Sequence, residues 1–491
     1  MQMTTNFAEL KRVGVIDVGS NSVRLVVFDG AARSPAYFYN EKVLCGLGRG
    51  ISETGVLHPE GRARAMRAME RFAALAASFD VQSLKAVATA AVRDASDGPA
   101  FCAEVKAKTG IEIEVIAGRD EARFAAQGVL LGRPEATGLV SDIGGASMEL
   151  AALANGEVGA RVTSPLAPLR LADVKGDVDA YIRDHLLELR QKMDGDYKTL
   201  YLVGGSYRAI AKLDMGRRSY PLEVLHEYIL TVEKLSETLD WIDGANAEDL
   251  SAASSTSATR LALVPMAARV LRQVIAVFGP ERISVSSYGL REGMLYEQMP
   301  KELRTRDPLI EACRVMERTS ARFVGFGEEL AKWVSPLLPN DASVQRLVLA
   351  AGLLHDVSWR SDPSSRAEEC FDNAMRGNLG AIGHKGRVLL AMALLHRYRK
   401  SGKIEKYKTL KALLNDDEQK SSWVIGQAMR LGASLAGGDA RVLAGAELVQ
   451  STDVLELRLQ ADIARFSGEI VETRLAELAQ SMGREAKLTV L

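Results

Sequence analysis

The chain has 491 residues, enough for three or four domains that each bury an ordinary hydrophobic core. Its 62 Lys and Arg residues nearly balance its 63 Asp and Glu residues, so global charge excludes no partner and identifies none. Four widely separated cysteines, an N-terminus without an apolar signal core and no run read as about 18 apolar residues predict a cytoplasmic protein without membrane spans.

The first 134 residues are predicted to form one α/β domain. Apolar alternation and helical spacing place strands at 13–17, 22–29, 36–41, 84–88 and 111–116, and helices at 59–79, at 99–108 and from 118 onward. This order is typical of a mixed sheet flanked by helices.

The same pattern restarts at Gly138, which predicts a second α/β domain over 135–300. Shifted by 125 positions, residues 13–30 superimpose on residues 138–155 without a gap. Further strands are predicted near 147–153, 159–163, 199–203 and 282–286, and helices near 179–192 and 258–278. The chain therefore contains a duplicated α/β unit.

The centre of each repeat is an Asp-aliphatic-Gly turn between two apolar runs, which predicts a strand, a tight turn and a strand. Small turn residues let the backbone approach an anion and aim its N–H groups at it. Asp17 and Asp142 could hold a hard divalent cation. One such turn is also ordinary turn chemistry, but two matching copies indicate a cleft for a metal-bound phosphate. The predicted phosphate-binding residues are Gly19, Ser20, Asn21, Ser22, Gly144, Gly145, Ala146 and Ser147.

Three further polar residues lie where strands open toward this cleft. Glu121, in the first turn of a helix, either orients a water molecule or interacts with the helix dipole, a role that Asp120 fills equally well. Arg93 follows a strand in a predicted loop, as a surface charge or as a clamp on phosphate. Glu149 aligns with Arg24 in the repeat and faces either the cleft or solvent.

Helical spacing dominates after residue 300. A mainly helical domain is predicted over 301–415 and a small α/β appendage over 416–491. The helical part carries a basic run, by default a solvated face, that also suits a long phosphate polymer. No aromatic stacking platform accompanies it, which argues against nucleic acid. The predicted polyphosphate track comprises Lys385, Arg387, Arg397, Arg399, Lys400, Lys403, Lys406 and Lys408.

Six motifs in order, DVGSNSVRLVV, ATAAVRDASDG, GRDEARFAAQGV, DIGGASMEL, VGGSYRAI and SYGLREG, resemble the exopolyphosphatase / guanosine pentaphosphate phosphohydrolase family. The resemblance spans about residues 13–294 and implies an actin-like, ribonuclease H-like fold. It implies phosphate binding by both turns and by Arg93, Mg²⁺ at Asp142 with Asp17, and catalysis by Glu121 and Glu149. The family commonly has Gly where Ala146 stands and Thr where Met148 stands.

LLHDVSW, with His355 and Asp356, resembles the HD phosphohydrolase fold, and His384 and His396 follow it. An HD metal site needs another His upstream, and none occurs between His226 and His355, so a structural HD-like domain is expected. The resemblance further implies a homodimer.

The expected activity is Mg²⁺-dependent release of orthophosphate from the end of inorganic polyphosphate. Alternatives are hydrolysis of guanosine pentaphosphate (pppGpp) at its 5′ end, a sugar-type kinase, for which no acceptor-activating Asp is found, or a binding regulator without turnover.

Overall fold

The computed structural model describes residues 11–399 and 405–491. The chain divides into two compact units, Met1–Arg306 and Asp307–Leu491. This boundary lies close to the predicted break between residues 300 and 301. The finer division of each unit stays a prediction, although the two sheets of the first unit match its two predicted α/β halves.

The first unit contains two sheets whose strands begin and end as follows. The first sheet comprises β1 (Val13–Val18), β2 (Ser22–Phe28), β3 (Tyr37–Leu44), β4 (Ser83–Ala88) and β5 (Ile113–Val115). The second sheet comprises β6 (Gly138–Ile143), β7 (Met148–Ala154), β8 (Glu157–Ser164), β9 (Thr199–Val203), β10 (Tyr228–Thr231) and β11 (Arg282–Val285). Strand β10 has no counterpart among the predicted strands.

The two sheets repeat one topology, which confirms the duplication. The first has the order β3-β2-β1-β4-β5, and the second has β8-β7-β6-β9-β11 followed by β10. In both, an antiparallel meander pairs its first strand in parallel with the strand that follows the first helical crossover. The register repeats as well, since Asp17 pairs with Arg24 on β2 and Asp142 pairs with Glu149 on β7.

Helices cover these sheets, and each apolar face joins a core. They are α1 (Ile51–Thr54), α2 (Pro59–Ser78), α3 (Ala90–Asp94), α4 (Gly98–Thr109), α5 (Gly118–Gly132), α6 (Pro168–Leu171), α7 (Val178–Lys192), α8 (Gly205–Arg217), α9 (Val232–Gly244), α10 (Ala247–Ala253), α11 (Ala258–Leu261), α12 (Val264–Phe278), α13 (Leu290–Gln298) and α14 (Lys301–Arg304). The helix predicted over 258–278 is interrupted, because Pro265 lacks a backbone N–H and stands in the first turn of α12.

That stretch corrects one reading of the sequence. By length and composition, 258–278 is apolar enough to cross a membrane. In the structure, however, α12 contributes Val264, Ala267, Leu271 and Val274 to the buried core of the second sheet. Its apolar residues are therefore accounted for by packing inside the first unit.

Helices α5 and α13 approach each other unusually closely through glycines. A Cβ on Gly128 would lie 2.3 Å from the Gly289 carbonyl oxygen, and one on Gly293 would lie 1.8 Å from the Phe124 carbonyl oxygen. The two backbones are therefore in direct contact. Helix α5 also packs on β7 and β8, so this pair fixes the position of Glu121 near the start of α5.

The second unit is mainly helical, as predicted, and ends in a small sheet. Its helices are α15 (Pro308–Ser320), α16 (Phe326–Val334), α17 (Ala342–Leu354), α18 (Arg366–Arg376), α19 (His384–Tyr398), α20 (Lys408–Lys411), α21 (Asp416–Ala436), α22 (Ala440–Ala444) and α23 (Glu469–Ser481). Strands β12 (Ala446–Gln450), β13 (Val454–Leu459) and β14 (Glu485–Val490) form the sheet. Because α21 packs against α19, the helical core extends beyond residue 415.

Candidate active site

The two turns at the centre of the repeat have the same hydrogen bond. The Gly19 amide donates to the Ser22 carbonyl at 3.0 Å, and the Gly144 amide donates to the Ser147 carbonyl at 3.0 Å. Each turn directly follows a strand whose penultimate residue is the aspartate, Asp17 or Asp142. Sequence repetition thus corresponds to geometric repetition.

The carbonyl groups of these turns face the protein. Amides of residues 45, 46 and 48 donate to the carbonyls of Asn21 and Ser20, and the Leu169 amide donates to the Gly145 carbonyl. In the part of the chain that the structure describes, the amides of Ser20, Asn21, Gly145 and Ala146 donate to no protein group. These N–H groups are the ones that a phosphate bound in either turn would need.

Four carboxyl groups from the two repeats interact with one another. Burial raises the pKa of Asp142 to about 6, and the negative charge of Asp17 adds to the rise. Burial also raises the pKa of Glu121 to about 7, against the Arg93 ion pair, and the charges of Asp142 and Asp17 again contribute. The two turns therefore face the same site, together with Glu121.

Glu121 is held by one direct ion pair. Its side chain is 9 % exposed, and its Oε1 lies 2.7 Å from Nη1 of Arg93, which also donates to the Ile116 carbonyl at 3.0 Å. Arg93 belongs to the short helix α3 and not to a loop, which corrects the sequence reading. Its predicted contact with phosphate stays a prediction, because the observed partner is Glu121.

Glu149 lies within the same group of acids. It is 4 % exposed and accepts a hydrogen bond from the Thr163 hydroxyl at 3.0 Å. Burial raises its pKa well above the ordinary value, and the charges of Glu121 and Asp142 raise it further. Thr163 also contacts the start of α5, where a Cβ on Gly118 would lie 2.6 Å from it. Glu149 and Glu121 are therefore positioned by adjoining elements.

Sequence reasoning missed a group of cations at this site. The charges that lower the pKa of Asp17, against its burial, belong to Arg291, Arg24 and Lys42. Arg208 is buried beside Asp142 and donates to the carbonyls of Gly204 and Ser287, both at 3.0 Å. Arg208 and Arg291 were present within the motifs VGGSYRAI and SYGLREG, and Arg24 stands opposite Asp17 in register. Those positions were the available signal.

Arg260 completes the group and explains the adjacent glycines. A Cβ on Gly205 would lie 1.5 Å from Nη1 of Arg260, so the guanidinium lies directly over this glycine. Burial lowers the pKa of Arg260, and the charge of Arg291 lowers it further. Cations that repel one another in this way create a strong local preference for a polyanion.

In the second unit, the structure corrects part of the predicted basic track. Arg387 is 1 % exposed and donates to carbonyls of residues 374, 375, 377 and 379, so it is a buried structural residue. Lys385 is paired with Glu418 at 2.8 Å, and Arg399 with Glu368. Helix α19 is buried on most sides, and its basic residues therefore do not share one solvated face. Lys400 and Lys403 lie outside the described residues.

Lys406 and Lys408 are exposed, and the Lys406 ammonium lies 5.4 Å from the Tyr407 ring centroid. Their contact with a polymer, like that of Arg397, stays a prediction.

The HD-like pair is engaged by protein groups. His355 Nδ1 lies 2.6 Å from the Gly352 carbonyl, and Asp356 accepts hydrogen bonds from Nη2 and Nε of Arg322 at 2.6 and 3.0 Å. Burial lowers the pKa of His355 to about 4 and that of His396 to about 4, so both rings are neutral near pH 7. His384 lies at the start of α19 and is buried as well. These contacts support a structural role for the pair.

Duplicated sheets of this topology, with phosphate-type turns facing clustered carboxylates, define an actin-like fold that handles phosphate groups. The family model for the Ppx/GppA phosphatase family matches residues 26–302, and the model for the exopolyphosphatase C-terminal domain matches residues 309–489. The chain belongs to the Ppx/GppA phosphatase family.

Similar proteins agree with this assignment. Exopolyphosphatase 1 of Mycobacterium tuberculosis is 28% identical over 330 residues, covering 64% of this chain and 95% of that protein. Guanosine-5′-triphosphate,3′-diphosphate pyrophosphatase of Vibrio campbellii is 26% identical over 344 residues, covering 66% of each chain. The crystal structure of the Aquifex aeolicus family member matches with a TM-score of 0.52 and 25% identity, covering 59% of this chain and 97% of that one. The chain is thus a hydrolase of phosphoanhydrides.

Proposed function

We propose that this chain is an exopolyphosphatase that releases orthophosphate from the end of inorganic polyphosphate. The observation that carries the proposal is the position of Glu121, a nearly buried carboxyl with a pKa of about 7 that shares one site with both phosphate-type turns. The surrounding cations Arg24, Lys42, Arg260 and Arg291 support a substrate of high negative charge. The family resemblance and the exopolyphosphatase relatives agree with it.

In this mechanism, each residue has a distinct task. The free amides of the two turns hold the terminal phosphoryl group, and the arginines offset the charge that develops on it. Glu121 accepts a proton from a water molecule placed in line with the scissile bond, which a pKa near the working pH favours. Arg93 orients this carboxylate. Glu149, hydrogen-bonded to Thr163, borders the same site.

Mg²⁺ fits the donors that are present. Asp17 and Asp142 are buried carboxyls with raised pKa values, a cost that a divalent cation would offset. Among the described residues, no three acidic, histidine or cysteine side chains are close enough to hold a metal without further ligands. Mg²⁺ typically binds through one or two carboxylates, with waters and substrate phosphates completing the shell. Bound there, it would neutralise charge on the transferred phosphoryl group.

The decisive test substitutes the proposed base. Glu121→Gln keeps the size of the side chain and is expected to lower the rate of phosphate release from long-chain polyphosphate by about 10²–10⁴-fold, with polymer binding retained. Asp120→Asn is the matched control, since it removes an acid from the same helical turn. Similar loss in both variants, or full activity in Glu121→Gln, would contradict the assignment.

Guanosine pentaphosphate is the second candidate substrate. The Vibrio campbellii relative carries that activity in its name and covers as much of this chain as the exopolyphosphatase relatives do. Hydrolysis of the nucleotide and of defined-length polyphosphate should be compared at equal concentrations of phosphoanhydride termini. A kcat/KM at least about tenfold higher for the polymer is the expected result.

Location and assembly are proposed on weaker grounds. Cys45, Cys102, Cys313 and Cys370 are free thiols, which supports a reducing, cytoplasmic compartment. A homodimer is proposed by family resemblance, and light scattering would test it.

A further inference from the structure

Three arginines from successive helices of the second unit come together. Arg397 lies near the end of α19, Arg430 within α21 and Arg474 within α23, and α21 packs against both other helices. Gly426 allows this packing, because a Cβ there would lie 2.5 Å from the Ala393 carbonyl oxygen and 3.0 Å from the Arg397 nitrogen. Arg430 is one helical turn further along, and Arg474 donates to its carbonyl at 3.4 Å. We call Arg397, Arg430 and Arg474 the arginine cluster.

The cluster lacks the partners that buried arginines normally have. Within residues 11–399 and 405–491, no carboxylate or carbonyl accepts a hydrogen bond from the side chain of Arg397 or Arg430. Arg397 Nε and Arg430 Nη1 are buried and without any partner. Most buried donors are hydrogen-bonded, and each unmet one costs about 1–3 kcal/mol. Arg387, on the same helix as Arg397, donates to several carbonyls and shows the ordinary structural arrangement.

Nearby acids do not balance this positive charge. Asp356 is the acid that acts on Arg397, and it is already bound by two nitrogens of Arg322. Glu477, one turn from Arg474, is the acid that acts on that side chain. Burial lowers the pKa of Arg474, and the charges of Arg430 and Arg397 lower it further. The cluster is therefore a place where the protein holds like charges together at a cost to stability.

We propose that the arginine cluster is a binding site for a triphosphate-type anion, distinct from the catalytic site of the first unit. Guanidinium groups bind phosphate oxygens through paired N–H groups, and a chain of phosphates supplies enough oxygens for several of them. The three side chains are only partly covered, which leaves the cluster accessible. The same chemistry occurs in inorganic tripolyphosphate and in nucleoside triphosphates. The HD-like region would then bind an anion where related folds bind a metal.

Binding of tripolyphosphate to the full-length chain tests this site. The Glu121→Gln background prevents hydrolysis, so titration calorimetry is expected to show two classes of site, one in each unit. The double variant Arg430→Gln/Arg474→Gln should lose one class, or weaken it at least about tenfold. Arg376→Gln/Arg441→Gln, which removes two exposed charges of the same unit, should keep both classes. Two classes of unchanged affinity in the cluster variant, or one class in every variant, would overturn the proposal.

Thermal unfolding gives an independent readout. Without ligand, Arg430→Met should unfold at a higher temperature than the wild type, because it removes an unpartnered buried cation. With tripolyphosphate, the wild type should gain more stability than Arg430→Met or Arg474→Gln. A lower unfolding temperature of both variants without ligand, and an equal gain with it, would show that the arginines are structural and refute the site. Guanosine triphosphate in a parallel titration identifies the source, since loss of its binding in the cluster variant supports a nucleotide ligand.

Discussion

Arg93→Gln should separate two roles for this arginine. Its Nη1 lies 2.7 Å from Glu121 Oε1, with side chains 28 % and 9 % exposed. At an effective dielectric constant of about 20 the gross Coulomb attraction is roughly 6 kcal/mol, of which charge-assisted hydrogen bonds retain about 1.5–3 kcal/mol. Since about 1.4 kcal/mol corresponds to one pKa unit, losing Arg93 should raise the pKa of Glu121 by roughly one to two units above about 7.

A pH profile of kcat/KM with polyphosphate measures this change. A general base acts when deprotonated, so activity rises with pH through its pKa. In Arg93→Gln that limb should move upward by about one to two pH units, with a loss of about 10–100-fold at pH 7 that recovers near pH 9. Arg119→Gln, an exposed charge on the same helix, is the control and should leave the limb in place. A loss that is equal at every pH, with a raised KM, would refute this reasoning and assign Arg93 to phosphate.

Three further changes follow from the contacts. Gly205→Ala places a Cβ 1.5 Å from the mobile tip of Arg260, so KM for polyphosphate should rise by about tenfold with little change in unfolding temperature; an unchanged KM would exclude Arg260 from substrate binding. Gly293→Ala meets backbone at 1.8 Å and should destabilise the protein by about 1–3 kcal/mol in urea unfolding, whereas no loss would contradict the close α5–α13 contact. Because the folded pKa of Glu121 lies above its unfolded value, the folded state binds more protons between about pH 4.5 and 7. Metal-free stability should therefore fall with rising pH across that window, by about 3 kcal/mol from Glu121 alone, and Mg²⁺ should stabilise more at pH 8 than at pH 5, as calorimetry can check.

Much of the catalytic unit was predictable because its information is local. An apolar strand, an aspartate and small turn residues specify strand–turn–strand geometry, and the repeat at a shift of 125 positions fixed Asp17 and Asp142 as equivalents. Glu121 stands in the first helical turn, as predicted. The cations were missed because Arg208, Arg260 and Arg291 come from separate elements, and only packing makes them neighbours.

The basic run shows the limit of sequence reasoning most clearly. A count of charges between residues 385 and 411 suggested one solvated track, but the fold buries Arg387 among carbonyls. Charge alone does not indicate exposure, because a helix buried on most sides can enclose a cation that the backbone satisfies. Arg397, from the same run, remains without such partners, and its companions Arg430 and Arg474 come from other helices.

By itself, the sequence determined the duplicated α/β design, the equivalence of the two turns, the acids that follow them and the family, since each is written in short contiguous patterns. Only the tertiary structure decided that Arg93 holds Glu121, that a ring of arginines surrounds the acids, and which basic residues of the second unit are structural. The physical reason is that ion pairs and pKa values depend on distance and burial, which residues far apart in the chain acquire only when it folds.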